Sequence, residues 1–191
     1  MPRYVALLRA INVGGHVVTM PRLRAEFEAL GFTDVATYIA SGNVLFSVGR
    51  AGGTAGGGAP AALERRIARA LEEALGYAVA VLLRTSVEMA AAAAFPSGDS
   101  AALAGARADP RAGSLAVGFL PRALAGAEQR AVRALGVETD TFAFHARELY
   151  WWSTIGQGKA KFSLARLERA LGLQATFRSI TTVRALAALM R

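Results

Sequence analysis

The sequence predicts an α+β fold of two tandem ferredoxin-like halves, each of βαββαβ order and each followed by an extra helix. Three observations predict it. Helix-like runs close on the tripeptide Ala-Leu-Gly four times, at residues 29–31, 74–76, 134–136 and 170–172. These stops pair off: Asp34 lies just beyond the first and Asp140 beyond the third, whereas a strand ending in a basic and a hydroxyl residue, Arg84-Thr85 or Arg178-Ser179, follows the second and fourth. Between the stops, β-like runs recur in the same order. A glycine past the last turn takes the left-handed conformation, and the next apolar residue (Phe32, Tyr77, Val137 or Leu173) folds back onto the helix end.

The elements follow in order. Tyr4 to Ile11 is an apolar run that suits a strand, and Pro21 to Leu30 carries Leu23, Phe27 and Leu30 at helical spacing with Pro21 in the tolerant first turn. Val35 to Ile39 and Val44 to Val48 form a hairpin around Ala40-Ser41-Gly42-Asn43, whose Gly and Asn suit positive backbone angles. A Gly-rich loop spans Gly49 to Pro60. Leu63, Ile67, Leu71 and Leu75 then recur every four residues in a helix over Ala61 to Leu75, and Val79 to Leu83 is the next strand. Thr85 and Glu88 have capping-box spacing ahead of a helix over Ser86 to Ala94. The second half repeats this with strand Ser114 to Leu120, helix Ala123 to Leu135, hairpin Thr139 to Phe144 with Glu148 to Ser153, helix Ser163 to Leu171, strand Gln174 to Arg178 and helix Thr182 to Met190. The expected division is 1–95, a linker over 96–113 rich in Ala, Gly, Ser, Asp and Pro, and 114–191.

At 191 residues and 53% hydrophobic content the chain can bury an ample core. No run reaches the length of a membrane span, and the first residues lack the order of a secretory signal, so a cytoplasmic protein is expected. The absence of cysteine excludes thiol nucleophiles and Cys-ligated metal. A net charge of +8 and a pI near 10.9 invite a nucleic-acid partner. Against that, only Lys159 and Lys161 are lysines, so the Arg, Ala and Gly content looks like GC-rich codon usage, and runs such as Glu64, Arg65, Arg66, Arg69, Glu72, Glu73 read as a solvated helix face.

In a ferredoxin-like unit the end of the first strand lies beside the start of the third. That brings Arg9, Asn12, Gly14 and Gly15 up to Ser41, Gly42 and Asn43. The cluster suits a small anion or nucleotide cradle: glycines admit close approach, backbone N–H groups and amides donate, and Arg9 or Arg22 supplies charge. The same glycines and Asn43 also suit plain turns, and no dinucleotide fingerprint is present.

The segments Tyr4 to Gly15, Leu30 to Phe32 and Tyr38 to Phe46, continued by Lys159 to Glu168 and Thr176 to Leu186, resemble the bacterial Domain of Unknown Function 1697 family. Ala10 stands where that family usually has Gly, Phe162-Ser163 follow Lys161, and Ser179-Ile180 replace Asn-Trp. The resemblance implies a two-part α+β fold and brings no agreed activity with it.

Other constellations are thinner. Lys159 and Lys161, preceded by Gly156 and Gly158 and followed by a helix, form a secondary anion-site candidate that lacks the Walker pattern. Phe142, Phe144, Tyr150 and Trp152 alternate along the second hairpin, as a stacking platform or as packing. His16 and His145 have no partner at metal spacing, so no metal and no cofactor is expected, and no general base or nucleophile can be named. The leading expectation is binding of a phosphate-bearing small ligand or nucleotide at the first-half loops. The alternatives are an interaction or structural module without ligand chemistry, and an enzyme of unassigned reaction. The pattern says nothing of oligomeric state.

Overall fold

A computed structural model describes residues 1–9, 11–12, 17–49, 60–94 and 113–191. The Gly-rich loop expected over 49–60 and the linker expected over 96–113 lie outside the described residues, apart from Gly49, Pro60 and Gly113. The α+β class is observed. The elements are β1 (Arg3–Leu8), α1 (Met20–Ala29), β2 (Thr33–Thr37), β3 (Asn43–Ser47), α2 (Pro60–Leu75), β4 (Val81–Thr85), α3 (Ser86–Ala94), β5 (Ser114–Phe119), α4 (Gly126–Leu135), β6 (Asp140–His145), β7 (Glu148–Ser153), α5 (Leu164–Leu171), β8 (Thr176–Ser179) and α6 (Ile180–Leu189). They build two four-stranded antiparallel sheets, ordered β2-β3-β1-β4 and β6-β7-β5-β8. Among the described residues no helix is long and apolar enough to cross a membrane.

The chain divides into two compact units, Met1–Met89 with Leu186–Arg191, and Ala90–Ala185. The divisions therefore fall inside α3 and α6. In the first unit Leu23 and Phe27 of α1 and Ile67 and Leu71 of α2 bury against Ala6, Leu8, Val44, Phe46 and Leu83 on one sheet face. Strand alternation sends Val5, Leu7, Leu45 and Leu82 to the other face, where they are buried as well. In the second unit Val132 of α4 and Leu167 of α5 bury against Ala116, Phe142, Leu149 and Trp151.

Three of the four Ala-Leu-Gly stops behave as their chemistry dictates, with Gly31, Gly76 and Gly172 at φ +78°, +80° and +63°. At the first, the Gly31 N–H donates to Glu28 O (2.9 Å), the Phe32 N–H reaches Phe27 O (3.4 Å), and the two rings lie 6.0 Å apart, a Schellman closure. Gly136 departs from the expectation. Its backbone is extended (φ −76°, ψ 169°), and glycine is needed there for space: a Cβ would lie 2.5 Å from Cε2 of Phe142.

The expected capping box is present. The Thr85 N–H donates to Glu88 Oε2 (2.9 Å) and the Glu88 N–H to Thr85 Oγ1 (3.2 Å). Ser179 plays the opening role for α6, accepting from the Thr182 N–H at 3.2 Å, so that helix begins at Ile180, two residues before the expected start. β1 ends at Leu8 rather than Ile11 because the chain turns at Asn12, which sits at φ +56°. β2 ends at Thr37 rather than Ile39, since Ile39 takes φ +48°.

Candidate functional site

The antiparallel registers bring the two expected loops together. Leu7 pairs with Asn43, the Leu8 N–H donates to Gly42 O (2.8 Å) and the Arg9 N–H to Ala80 O (2.9 Å). Arg9, half-buried, thus leaves the sheet between β3 and β4 at the root of the β1–α1 loop. Asn12 then ties this loop to the β2–β3 loop: its Nδ2 donates to Ala40 O (3.0 Å) and its Oδ1 accepts from the Val18 N–H (2.7 Å). Its left-handed backbone suits asparagine, whose short polar side chain tolerates that region.

Gly42 is held by conformation and by space. It sits at φ +73°, and a Cβ would meet Leu8 Cβ and Ile11 Cβ at 3.1 Å each. Asn43 differs from the turn role expected of it. It is the first residue of β3, fully buried, and its Nδ2 donates to Tyr38 O (3.0 Å) and Ser41 Oγ (2.8 Å). As the first residue of β3, Asn43 has strand backbone, and the positive angles of this turn fall on Gly42, as expected, and on Ile39. Arg9, Asn12, Ser41, Gly42 and Asn43 therefore cluster as the topology predicts. Gly14 and Gly15 lie outside the described residues. Arg22, the other candidate charge, sends its guanidinium to Ala74 O at 2.5 Å, at the end of α2.

Ile39 is a feature that hydrophobic patterning missed. A β-branched residue in the left-handed region costs about 1–2 kcal/mol, and this one is 52% exposed, so little burial offsets it. Ile39→Asn should raise stability by about 1 kcal/mol, because asparagine tolerates that region. Chemical denaturation checks it. A loss of stability would mean that the isoleucine side chain makes contacts worth more than the strain.

The family model for proteins of unknown function (DUF1697) matches residues 1–150. The chain belongs to that family. Among solved structures, the conserved bacterial protein SP0830 from Streptococcus pneumoniae is similar, with a TM-score of 0.68 at 21% identity over 100% of this chain and 98% of that one. At that identity the likeness concerns the fold alone. No curated protein matches.

Elsewhere in this DUF1697 member, Lys159 and Lys161 are both exposed, but the loop that carries them turns its donors inward. The N–H groups of Gly156, Lys159 and Ala160 go to Ser153 O, Gly156 O and Gln157 O, and that of Gln157 to Ser114 Oγ. Gln157 also clamps Ser114, through Nε2 to Ser114 O (2.8 Å) and Oε1 to the hydroxyl. Four of the loop's N–H groups are thus taken up by the protein itself. The hairpin aromatics are packing: Phe142, Trp151, Phe162 and Phe177 form one ring cluster, while Tyr150 and Trp152, on the opposite face, are also buried, and the Tyr150 hydroxyl donates to Ala92 O (3.1 Å). Among the described residues no group of His, Asp and Glu could hold a metal ion.

Two buried arginines escaped the sequence reading. Arg84 on β4 is fully buried and Arg178 on β8 is 9% exposed. They occupy matching register, Arg84 opposite Val5 and Arg178 opposite Val117. Arg178 donates to Thr176 Oγ1 (2.7 Å) and Phe177 O (2.8 Å), and burial pushes its pKa down to about 10. The signal was present as the paired Arg84-Thr85 and Arg178-Ser179, but nothing in the pattern marks an arginine as buried.

Proposed function

We propose that this family member binds a small phosphate-bearing ligand where the β1–α1 and β2–β3 loops meet. Arg9 supplies the charge, Ser41 a hydroxyl, and Gly14 and Gly15 backbone donors. The observation that carries the reading is the Asn12 bridge, which spans both loops with two hydrogen bonds and fixes the rim around Arg9 before any ligand arrives. A rim held in advance lowers the ordering cost of binding. Asn12, Gly42 and Asn43 then act mainly by positioning, since their hydrogen bonds and packing serve the loops. The same bonds favour the competing reading, an interaction or structural module whose loop motif only preserves the fold.

A thermal-shift series with inorganic phosphate, sugar phosphates and nucleotides separates the two. Ligand at a hundred times its Kd stabilises by about 2.7 kcal/mol, which raises Tm by roughly 5–10 °C in a chain of this size. Arg9→Ala should lose that shift, measured against its own ligand-free Tm. If no phosphorylated compound moves Tm, the ligand reading falls and the module reading stands.

We further infer that the chain is a tandem ferredoxin-like duplication with halves at 1–95 and 114–191. What supports this is the identical strand order of the two sheets, the matched Arg84 and Arg178, and the equivalent bonds Leu8 N–H to Gly42 O and Leu120 N–H to Arg147 O. Superposing the halves should align these pairs, and an offset register would overturn the inference. Residence in the bacterial cytoplasm belongs to the same proposal, and cell fractionation tests it.

A further inference from the structure

The net charge of +8 is unevenly spread. Residues 114–191 hold 11 lysines and arginines against 5 acids, a net +6, whereas residues 1–94 hold 9 against 7, a net +2. Codon usage explains arginine in place of lysine. It does not explain why acids are scarce in one half.

The two halves also use their surface charge differently. On α1 and α2 three of the five arginines pair along the helix, Arg24 with Glu28 at 2.7 Å, Arg69 with Glu73 at 2.8 Å and Arg22 with Glu26 at 4.0 Å, and a fourth, Arg66, donates to Leu30 O at 2.7 Å. That is the solvated, salt-laced face the sequence suggested. On the second unit's helix layer Glu128 is held by Arg122 (2.7 Å) and by the Ala125 N–H (2.8 Å), which draw its pKa down to about 2. Glu168 turns away to cap the Ala175 N–H (2.9 Å). The remaining cations are exposed: Arg130 and Arg133 on α4, Arg166 and Arg169 on α5, and Lys159 and Lys161 in the loop before α5. Among the described residues none of these six has a carboxylate within ion-pair distance.

Their placement makes one surface. α4 and α5 pack together, and Val132 and Leu167 face the sheet, which puts Arg130 and Arg169, each two residues away, on the opposite side of their helices, while Arg166, next to Leu167, is exposed on the flank of α5. Arg166 is braced by its bond to Lys161 O (3.1 Å), and Arg133 lies over the Phe144 ring at 4.7 Å from its centroid. Within each helix the two arginines are three residues apart, which puts neighbouring Cβ atoms about 5–6 Å from one another.

We propose that the outer face of α4 and α5, with Lys159 and Lys161, binds the phosphodiester backbone of a nucleic acid without reading its sequence. Guanidinium forks suit phosphate oxygens, and cations not already held in ion pairs gain most by displacing condensed counterions. A lipid surface fits less well: neither helix exposes a large apolar residue to enter a bilayer interface. This inference is independent of the first-half ligand site.

The test uses the full chain and a fluorescein-labelled single-stranded 20-nucleotide RNA of mixed sequence, read by anisotropy. Four phosphate contacts give a slope of log K against log salt near −3, so affinity should fall roughly 50-fold between 50 and 200 mM salt. The variant Lys159→Glu, Arg166→Glu, Arg169→Glu should bind at least tenfold more weakly and flatten the slope by about 2. The variant Arg24→Glu, Arg65→Glu, Arg69→Glu carries the same change in net charge elsewhere and should bind within threefold of the wild type. Circular dichroism melts confirm that both fold. Equal weakening by the two variants, no binding at 50 mM salt, or binding to phosphatidylserine vesicles but not to RNA would each overturn the proposal.

Discussion

Replacing Phe162 by alanine should remove about 3–5 kcal/mol of stability, the cost of emptying a well-packed aromatic site. The ring is 2% exposed and lies 4.8 Å from Phe142, 4.7 Å from Trp151 and 6.4 Å from Phe177, centroid to centroid. Those partners come from three strands, β6, β7 and β8, so one side chain reaches across most of the second sheet. It also immediately precedes Ser163, whose hydroxyl caps α5 by accepting from the Arg166 N–H at 3.4 Å. Loss of the ring would thus loosen both the lysine-bearing loop and the start of α5. A stability of 5–15 kcal/mol is typical for a folded protein, and a loss of this size takes a large share of it. Urea denaturation followed by tryptophan fluorescence should show a lower midpoint with an unchanged slope. Phe162→Leu should cost clearly less, because leucine refills most of the volume. An alanine variant within about 1 kcal/mol of the wild type would show that the ring cluster is not what holds this unit together.

Periodicity made much of the fold legible. The four-residue spacing of Leu63 to Leu75 describes the observed α2 to within one residue, and β7 has the expected ends, because amphipathic patterns report burial directly. The Thr85 and Glu88 spacing announced a capping box because both partners lie in one turn. What failed depended on residues outside the element concerned. Gly136 closes the same tripeptide as its three counterparts, yet Phe142, several residues on, decides that space and not backbone angle requires it. Ile39 extends the apolar run of β2 on paper. In the fold, the buried Asn43 amide closes the loop on Tyr38, and Ile39 takes the left-handed angle.

The candidate site shows the same division. Topology alone predicted that the loops around Arg9 and Ser41 would meet, and they do. Residue type could not say whether an asparagine there would face a ligand or bridge backbone, since the acceptors Ala40 O and Tyr38 O have no signature in the sequence. The charge asymmetry between the halves was countable from the start. Its meaning needed the fold, which shows Glu128 and Glu168 already engaged and leaves the α4 and α5 arginines, among the described residues, without a carboxylate at ion-pair distance.

Asn43→Ala should cost about 2 kcal/mol, since two hydrogen bonds vanish and the part-buried Tyr38 carbonyl loses a donor. The residue is fully buried, so no water replaces the lost Nδ2 contacts to Tyr38 O and Ser41 Oγ without opening the loop. Asn12→Ala should cost less, about 1 kcal/mol, because its side chain is exposed and solvent compensates in part. The two amides grip adjacent stretches of one loop, Asn12 at Ala40 and Asn43 at Tyr38 and Ser41. Once either releases it, the other has less to hold. The double variant should therefore lose less than the two single losses combined, with a coupling of at least about 0.5 kcal/mol, measurable in a denaturant cycle. Strict additivity would mean that each asparagine stabilises its own segment and that no common rim exists. That result would also remove the preorganisation on which the Arg9 ligand site depends, whereas measurable coupling would make Arg9→Ala the decisive variant: a side chain set into a rigid rim should change ligand response far more than it changes stability.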